Sequence, residues 1–99
     1  MHCLTVTYPA PADAGKFKAY YVATHLPLAR QLPGLTSCSF AYPEPLGPAE
    51  VPFCIFQAWF ADQPAMFAAL QSDIGKQVAA DVPNYSPLGA TLFHFPVGA

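Results

Sequence analysis

Between Cys3 and Tyr8 the chain alternates, with Leu4, Val6 and Tyr8 pointing one way and Thr5 and Thr7 the other. That two-residue period predicts a strand, which Pro9 and Pro11 stop. Beyond Asp13, a residue type that caps helix starts, the period lengthens. Phe17, Tyr21, His25, Leu28 and Leu32 fall within a narrow arc of a 3.6-residue helix. Pro27 removes a backbone donor, which predicts a kink and a released Ala23 carbonyl, and Pro33-Gly34 predicts the end of the helix. Leu35 to Tyr42 predicts a second strand, with Thr36, Cys38, Phe40 and Tyr42 on one face and the small residues Ser37, Ser39 and Ala41 on the other. The next ten residues, Pro43 to Pro52, contain four prolines and form the long loop of the chain. Phe53 to Phe60 is apolar on both faces, as an interior strand would be. Asp62-Gln63-Pro64 then opens a second helix whose face is marked by Phe67, Leu70, Ile74 and Val78, and which ends before Pro83-Asn84-Tyr85. Thr91 to Val97 supplies a last strand, in which Pro96 is tolerable only near an edge or an end.

The resulting order, β-α-β-β-α-β, predicts an α+β fold of the ferredoxin-like kind, occupying residues 1–99 as one domain. Right-handed crossovers place both helices on one face of a four-stranded antiparallel sheet and leave the other face bare. Composition sharpens that point. Apolar residues make up 54% of the chain and charged residues only 10%, against roughly 25% in an ordinary domain. An apolar bare face on so weakly charged a chain calls for a cover, most simply its own copy about a two-fold axis. A homodimer is therefore expected.

Net charge is −2 with no basic run, so neither nucleic acid nor an anionic membrane surface is an expected partner. No stretch approaches the roughly 18 apolar residues of a membrane span, and the first ten residues lack a signal peptide's basic start. A cytoplasmic location is expected. Cys3, Cys38 and Cys54 are odd in number and widely spaced, which points to reduced thiols with neither a disulfide framework nor a zinc site.

The residue that stands out chemically is His25, an imidazole on the apolar stripe of the first helix, aimed at the sheet. Two readings are open: a core histidine satisfied by a backbone carbonyl near the kink, or a proton-transfer group in a ligand gap. Tyr20 and Tyr21 bring hydroxyls to the same helix, where tyrosines commonly serve packing with one wet end. Asp81, Asn84 and Tyr85 follow the second helix; Asp81 can partner a histidine or backbone donors, and Asn84 and Tyr85 can line a cavity mouth or make turn hydrogen bonds. His94 has no second ligand at a defined spacing, and His2 reads as a loose terminal residue. No nucleophile elbow, phosphate loop, dinucleotide turn or paired catalytic carboxylates exist in the chain, so no cofactor or metal is expected. Chemistry would fall to one histidine and tyrosine hydroxyls acting on a small apolar molecule. That set suits proton transfer, isomerisation, dehydration or oxygen chemistry of an electron-rich aromatic.

The run YYVATHLPLAR, Tyr20 to Arg30, resembles the Tyr-Tyr-x-x-x-His-x-Pro-Leu helix of the EthD family. AADVPNYS, Ala79 to Ser86, resembles that family's Ala-Asp-x-Pro-Asn-Tyr-Thr segment, and the opening strand ending in Tyr8-Pro9 also fits. The resemblance implies a dimeric α+β barrel, in which two ferredoxin-like sheets pack together with the helices outside. It assigns to His25 the family's helix histidine, a proton-transfer group in isomerase-like relatives, and matches Asp81, Asn84 and Tyr85 to the second motif. On this reading Tyr21 and Tyr85 position a small apolar cyclic or aromatic substrate, while Asp81 and Asn84 hold the loop. Thr24 stands where the family commonly has Lys, which removes a charge that would anchor an acidic ligand, and Leu26 stands where Met is frequent. The alternative is a non-catalytic accessory that binds a hydrophobic metabolite for a partner oxygenase. A third reading is a dimerisation module whose histidine is structural.

Overall fold

The computed structural model describes residues 1–98. Strands β1 (His2–Tyr8), β2 (Ser37–Ala41), β3 (Cys54–Phe60) and β4 (Thr91–Pro96) form one sheet in the order β2-β3-β1-β4. All three pairings are antiparallel, with Val6 opposite Phe56 on one side and Leu92 on the other. The strand that is apolar on both faces is thus interior, and Pro96 ends an edge strand, where its missing donor costs no ladder bond. One sheet face carries Leu4, Val6, Tyr8, Cys54, Phe56, Ala58 and Phe60, all buried beneath the helices. These residues, with Phe17, Tyr21, Leu26, Met66 and Ala69, make the core.

The first helical stretch starts where Asp13 Oδ1 accepts the Lys16 amide at 3.0 Å, but it is not one regular helix. Helix α1 (Ala14–Tyr20) passes into a wide turn of π type over Tyr21–His25, and α2 (Leu26–Ala29) completes it. In that turn the Leu26 amide donates to the Tyr21 carbonyl, five residues back. An α turn would drive the Pro27 ring into the Ala23 carbonyl; widening the turn before it relieves the clash without a sharp kink. The extra residue also shifts the buried stripe. Phe17 and Tyr21 are followed by both His25 and Leu26, then by Ala29 and Leu32, while Leu28, expected on the stripe, is only half-buried.

The second helical stretch breaks as well. Helix α3 (Gln63–Gln71) begins at Asp62, whose Oδ1 accepts the Ala65 amide at 2.9 Å, and α4 (Asp73–Asp81) begins at Ser72. Ser72 is extended, and its hydroxyl donates to the Ala69 carbonyl at 2.6 Å while accepting the Gly75 amide at 3.0 Å. Gly75 is required there: a Cβ would overlap the carbonyls of Ala69 and Leu70. The break changes the helical phase, so Met66 and Ala69 enter the core and Phe67, expected on the buried face, lies 40% exposed beside the His94 ring. A short 3₁₀ turn, Val82–Asn84, follows.

His2 is not loose. It pairs in β1, is buried, and places its Nε2 2.8 Å from Nδ1 of His94 across the sheet. The second sheet face is mixed: Ile55, Trp59, Phe93 and Phe95 share it with Thr5, Thr7, Ser37, Ser39 and Gln57, and no helix among the described residues covers it.

Candidate active site

The wide turn determines where His25 sits. By adding one residue between Tyr21 and Leu26 it lets both His25 and Leu26 face inward, and the imidazole ends 3% exposed, stacked on Tyr21 at 5.3 Å between ring centres. Opposite it, α4 ends at Asp81. His25 Nδ1 lies 2.9 Å from Asp81 Oδ2, so Nδ1 carries the hydrogen and donates it to the carboxylate. Asp81 Oδ1 accepts two further bonds, from the Tyr20 hydroxyl at 2.6 Å and the Asn84 amide at 3.0 Å. On the far side of the ring, His25 Nε2 lies 3.0 Å from the Tyr85 hydroxyl, which is itself 2.9 Å from the Tyr8 hydroxyl. Asp81, His25, Tyr85 and Tyr8 therefore form one continuous hydrogen-bonded chain.

Its electrostatics are set by burial. Burial holds the His25 pKa below the usual imidazole value, against the opposing hydrogen bond and charge of Asp81, so the ring is neutral at rest. Partial burial pushes the Asp81 carboxyl upward, but hydrogen bonds from Tyr20, Asn84 and His25 outweigh it and keep the group below the usual carboxylate range. Burial raises the Tyr85 and Tyr8 hydroxyls, which stay protonated. The site thus holds a neutral imidazole with a fixed tautomer, ready to accept a proton at Nε2 and backed by an ionised carboxylate.

A cavity of about 240 Å³ opens between the helices and the sheet. Its walls include Leu4, Val6, Phe56, Val78, Val82 and Leu92, and its only polar side chains are those of His25 and Tyr8. Leu92, 56% exposed, lies at the rim. For scale, apolar cavities of about 150 Å³ admit benzene, so a substituted single ring fits. A wider cleft of about 410 Å³ lies on the other side of Tyr85, walled in part by Lys16, Phe17, Tyr20 and Asn84.

Of the residues singled out from the sequence, His25, Asp81, Asn84 and Tyr85 come together in one network. Tyr21 is placed otherwise: it is fully buried, supports the His25 ring, does not line the cavity, and its hydroxyl has no hydrogen-bond partner. Both ring nitrogens of His25 are partnered by side chains, Asp81 and Tyr85, and not by a backbone carbonyl. Tyr8 and Tyr20 were not expected as members. Tyr20 precedes the wide turn and bonds a carboxylate 61 residues away, and Tyr8 stands at a strand end, so neither had a local signal. Among the described residues no cluster of three or more His, Cys, Asp or Glu could hold a metal ion. The cysteines are unpaired, and burial pushes the Cys54 thiol up to about 12. No helix among the described residues is long and apolar enough to cross a membrane.

Comparison with known proteins places this geometry in a family. An uncharacterised 11.0 kDa protein from the thcB-thcC intergenic region of Rhodococcus erythropolis is 29% identical over 93 residues, covering 93% of this chain and 90% of that one. The crystal structure of an ethyl tert-butyl ether (EthD) family protein of Bacillus halodurans superimposes with a TM-score of 0.88 at 25% identity, over 99% of both chains. A cofactor-independent oxygenase of Streptomyces nogalater shares the fold, with a TM-score of 0.69 at 14% identity over 99% of this chain and 93% of its own. The EthD domain model itself matches residues 10–88, which include the His25 helix, Asp81 and Tyr85. This chain belongs to the EthD family, built on a ferredoxin-like α+β fold.

Proposed function

We propose that this protein is a cofactor-independent enzyme that moves a proton on a small apolar cyclic or aromatic compound, with His25 as the general base and acid. The observation that carries this reading is the chain Asp81–His25–Tyr85–Tyr8 abutting an apolar cavity in which His25 and Tyr8 are the only polar side chains. A neutral, buried imidazole takes the proton, and the Asp81 carboxylate stabilises the imidazolium that results. Returning the proton elsewhere on the substrate gives an isomerisation; returning it to a leaving hydroxyl gives a dehydration. A deprotonated, electron-rich ring is also a form that reacts with dioxygen, and a protein of similar fold is a cofactor-independent oxygenase. Asn84 and Tyr20 hold the carboxylate, Tyr85 holds Nε2, and Tyr21 supports the ring from behind. The working unit is a homodimer in which the uncovered sheet faces, bearing Ile55, Trp59, Phe93 and Phe95, pack on one another.

The test is a melt-shift screen of single-ring compounds followed by turnover of each hit. Ligands that occupy the cavity raise the melting temperature with concentration. His25→Gln lowers turnover by roughly 100-fold or more, the usual size of a general acid-base contribution. Equal turnover by wild type and variant would remove His25 from the chemistry. The second reading, a non-catalytic ligand-binding dimer supporting a partner oxygenase, draws on the fact that both ring nitrogens of His25 are already bonded. It predicts melt shifts without turnover of any hit.

A further inference from the structure

We infer that each subunit completes the other's cavity: the partner subunit's Leu46, carried on its proline-rich loop, seats in a cleft that shares two wall residues with the cavity beside His25. The inference rests on the homodimer and the ligand cavity proposed above, and specifies how the two copies meet.

The strand register selects the two-fold axis. One row across the uncovered face runs Ser37, Trp59, Cys3, Phe95. The next runs Ser39, Gln57, Thr5, Phe93. Each row is small at the β2 edge and ends in a phenylalanine at the β4 edge. Two such faces can pack with the axis across the strands or along them. An axis across the strands stacks β2 on β2 and β4 on β4, so that Phe93 collides with the partner's Phe93 while Ser39 faces the partner's Ser39 over a hollow. An axis along the strands lays each row over its own reverse. Ser37 then meets the partner's Phe95, Cys3 the partner's Trp59 and Ser39 the partner's Phe93, which sets large against small as close packing requires.

That axis also decides where the long loop goes. A third row links Ala41, which ends β2, to Thr91, which begins β4, so the partner's Ala41 lies over Thr91. The loop Pro43 to Pro52 leaves the sheet at the end where Leu88 to Ala90 enters it. Glu44 to Val51 are all exposed, and Leu46 is completely so. The four prolines keep the loop out of any sheet and restrict its backbone, so docking it orders little that is free. Ala41 to Leu46 spans up to about 17 Å, more than the roughly 10 Å between packed sheets. The chain's own β2 stands at the opposite edge, three strand spacings or about 14 Å from β4. A cleft of about 240 Å³ receives the partner's loop, running between Pro52 and the exposed Leu88. Thr7 and Thr91 in its wall belong to the face that meets the partner, so the cleft is continuous with that interface. Tyr8 and Ala90 line both this cleft and the cavity beside His25. The partner's Leu46 leaves water there and backs the cavity wall.

The test joins the two positions covalently in the full-length protein. Under mild oxidation, Leu46→Cys combined with Leu88→Cys should give a disulfide-linked dimer at twice the 10.6 kDa chain mass on a non-reducing gel, while each single variant stays at chain mass. Sedimentation of the wild type separates the two ways to fail. A monomeric wild type would overturn the dimer itself. A wild-type dimer whose double variant gives no linked dimer, links within one chain, or links no better than the single variants would overturn the loop's place. The second readout is toluene binding. Leu46→Ser changes a side chain that meets only solvent in its own subunit, and should weaken toluene binding roughly 10-fold in a protein that still sediments as a dimer. Binding at wild-type strength would show that the loop does not complete the cavity. Failure of the wild type to bind toluene would instead overturn the ligand-cavity reading.

Discussion

Asp81 and His25 pull on each other's protonation, and the signs are testable one residue at a time. Asp81 raises the His25 pKa against burial, so Asp81→Asn should lower that pKa further; histidine NMR titration reads it directly, and an unchanged or higher value would mean the carboxylate does not act on the ring. Because burial holds His25 below its ordinary value of 6.5 in the folded state, the unfolded chain binds that proton more readily. The stabilising effect is complete above 6.5 and is lost as pH falls through the folded value. Asp81, held below its ordinary 3.8, acts in the same direction at lower pH. The melting temperature should therefore drop between about pH 7 and about pH 5, and His25→Gln should flatten that part of the curve. A variant with the wild-type profile would assign the acid sensitivity elsewhere. At this scale the sequence was partly legible. His25 showed itself as an imidazole on an apolar stripe, and Asp81 as a carboxylate beside Asn84. Tyr8 and Tyr20 did not, because their hydroxyl partners lie 77 and 61 residues away and no local spacing encodes such contacts.

Both helices depart from regularity, and each departure serves packing next to the cavity. The turn at Tyr21–His25 brings the imidazole and Leu26 inward together, and the break at Ser72 lets α4 cross close to the end of α3. Gly75→Ala should force that crossing apart. Its new Cβ has only backbone to displace, so the expected loss is about 1–3 kcal/mol in denaturant unfolding, the usual cost of overpacking. A loss near zero would show that the crossing is loose. Strand positions, caps and the proline-rich loop were readable because alternation, Asp13, Asp62 and the prolines act locally. The helix interiors were not. A 3.6-residue period assumes unbroken geometry, so the extra residue before Pro27 misplaced Leu28, and the break at Ser72 misplaced Phe67. Gly75 three residues after Ser72 was the available sign of the second.

For the whole molecule, the proposed dimer rests on the uncovered sheet face. Phe93 and Phe95 lie 46% and 37% exposed on the same sheet face as Trp59 and Ile55, across β1, on a chain with too few charges to keep such a face in water. Sedimentation equilibrium at micromolar concentration should report twice the 10.6 kDa chain mass, and Phe93→Asp should shift the protein to monomer. A monodisperse 10.6 kDa wild-type species would contradict the dimer. The order of strands and the bare face followed from the sequence because connection rules leave few alternatives to β-α-β-β-α-β. The cavity did not follow from it, since its walls come from strands and helices far apart in the chain. The central claim is that a neutral, Asp81-oriented His25 faces a cavity that accepts rings. Its most direct measurement is side-chain ¹⁵N–¹H NMR of the histidines near neutral pH, with and without toluene. His25 should carry its hydrogen on Nδ1 and not on Nε2, and its signals should shift saturably as toluene enters. A hydrogen on Nε2, or His25 signals unmoved at toluene saturation, would contradict it.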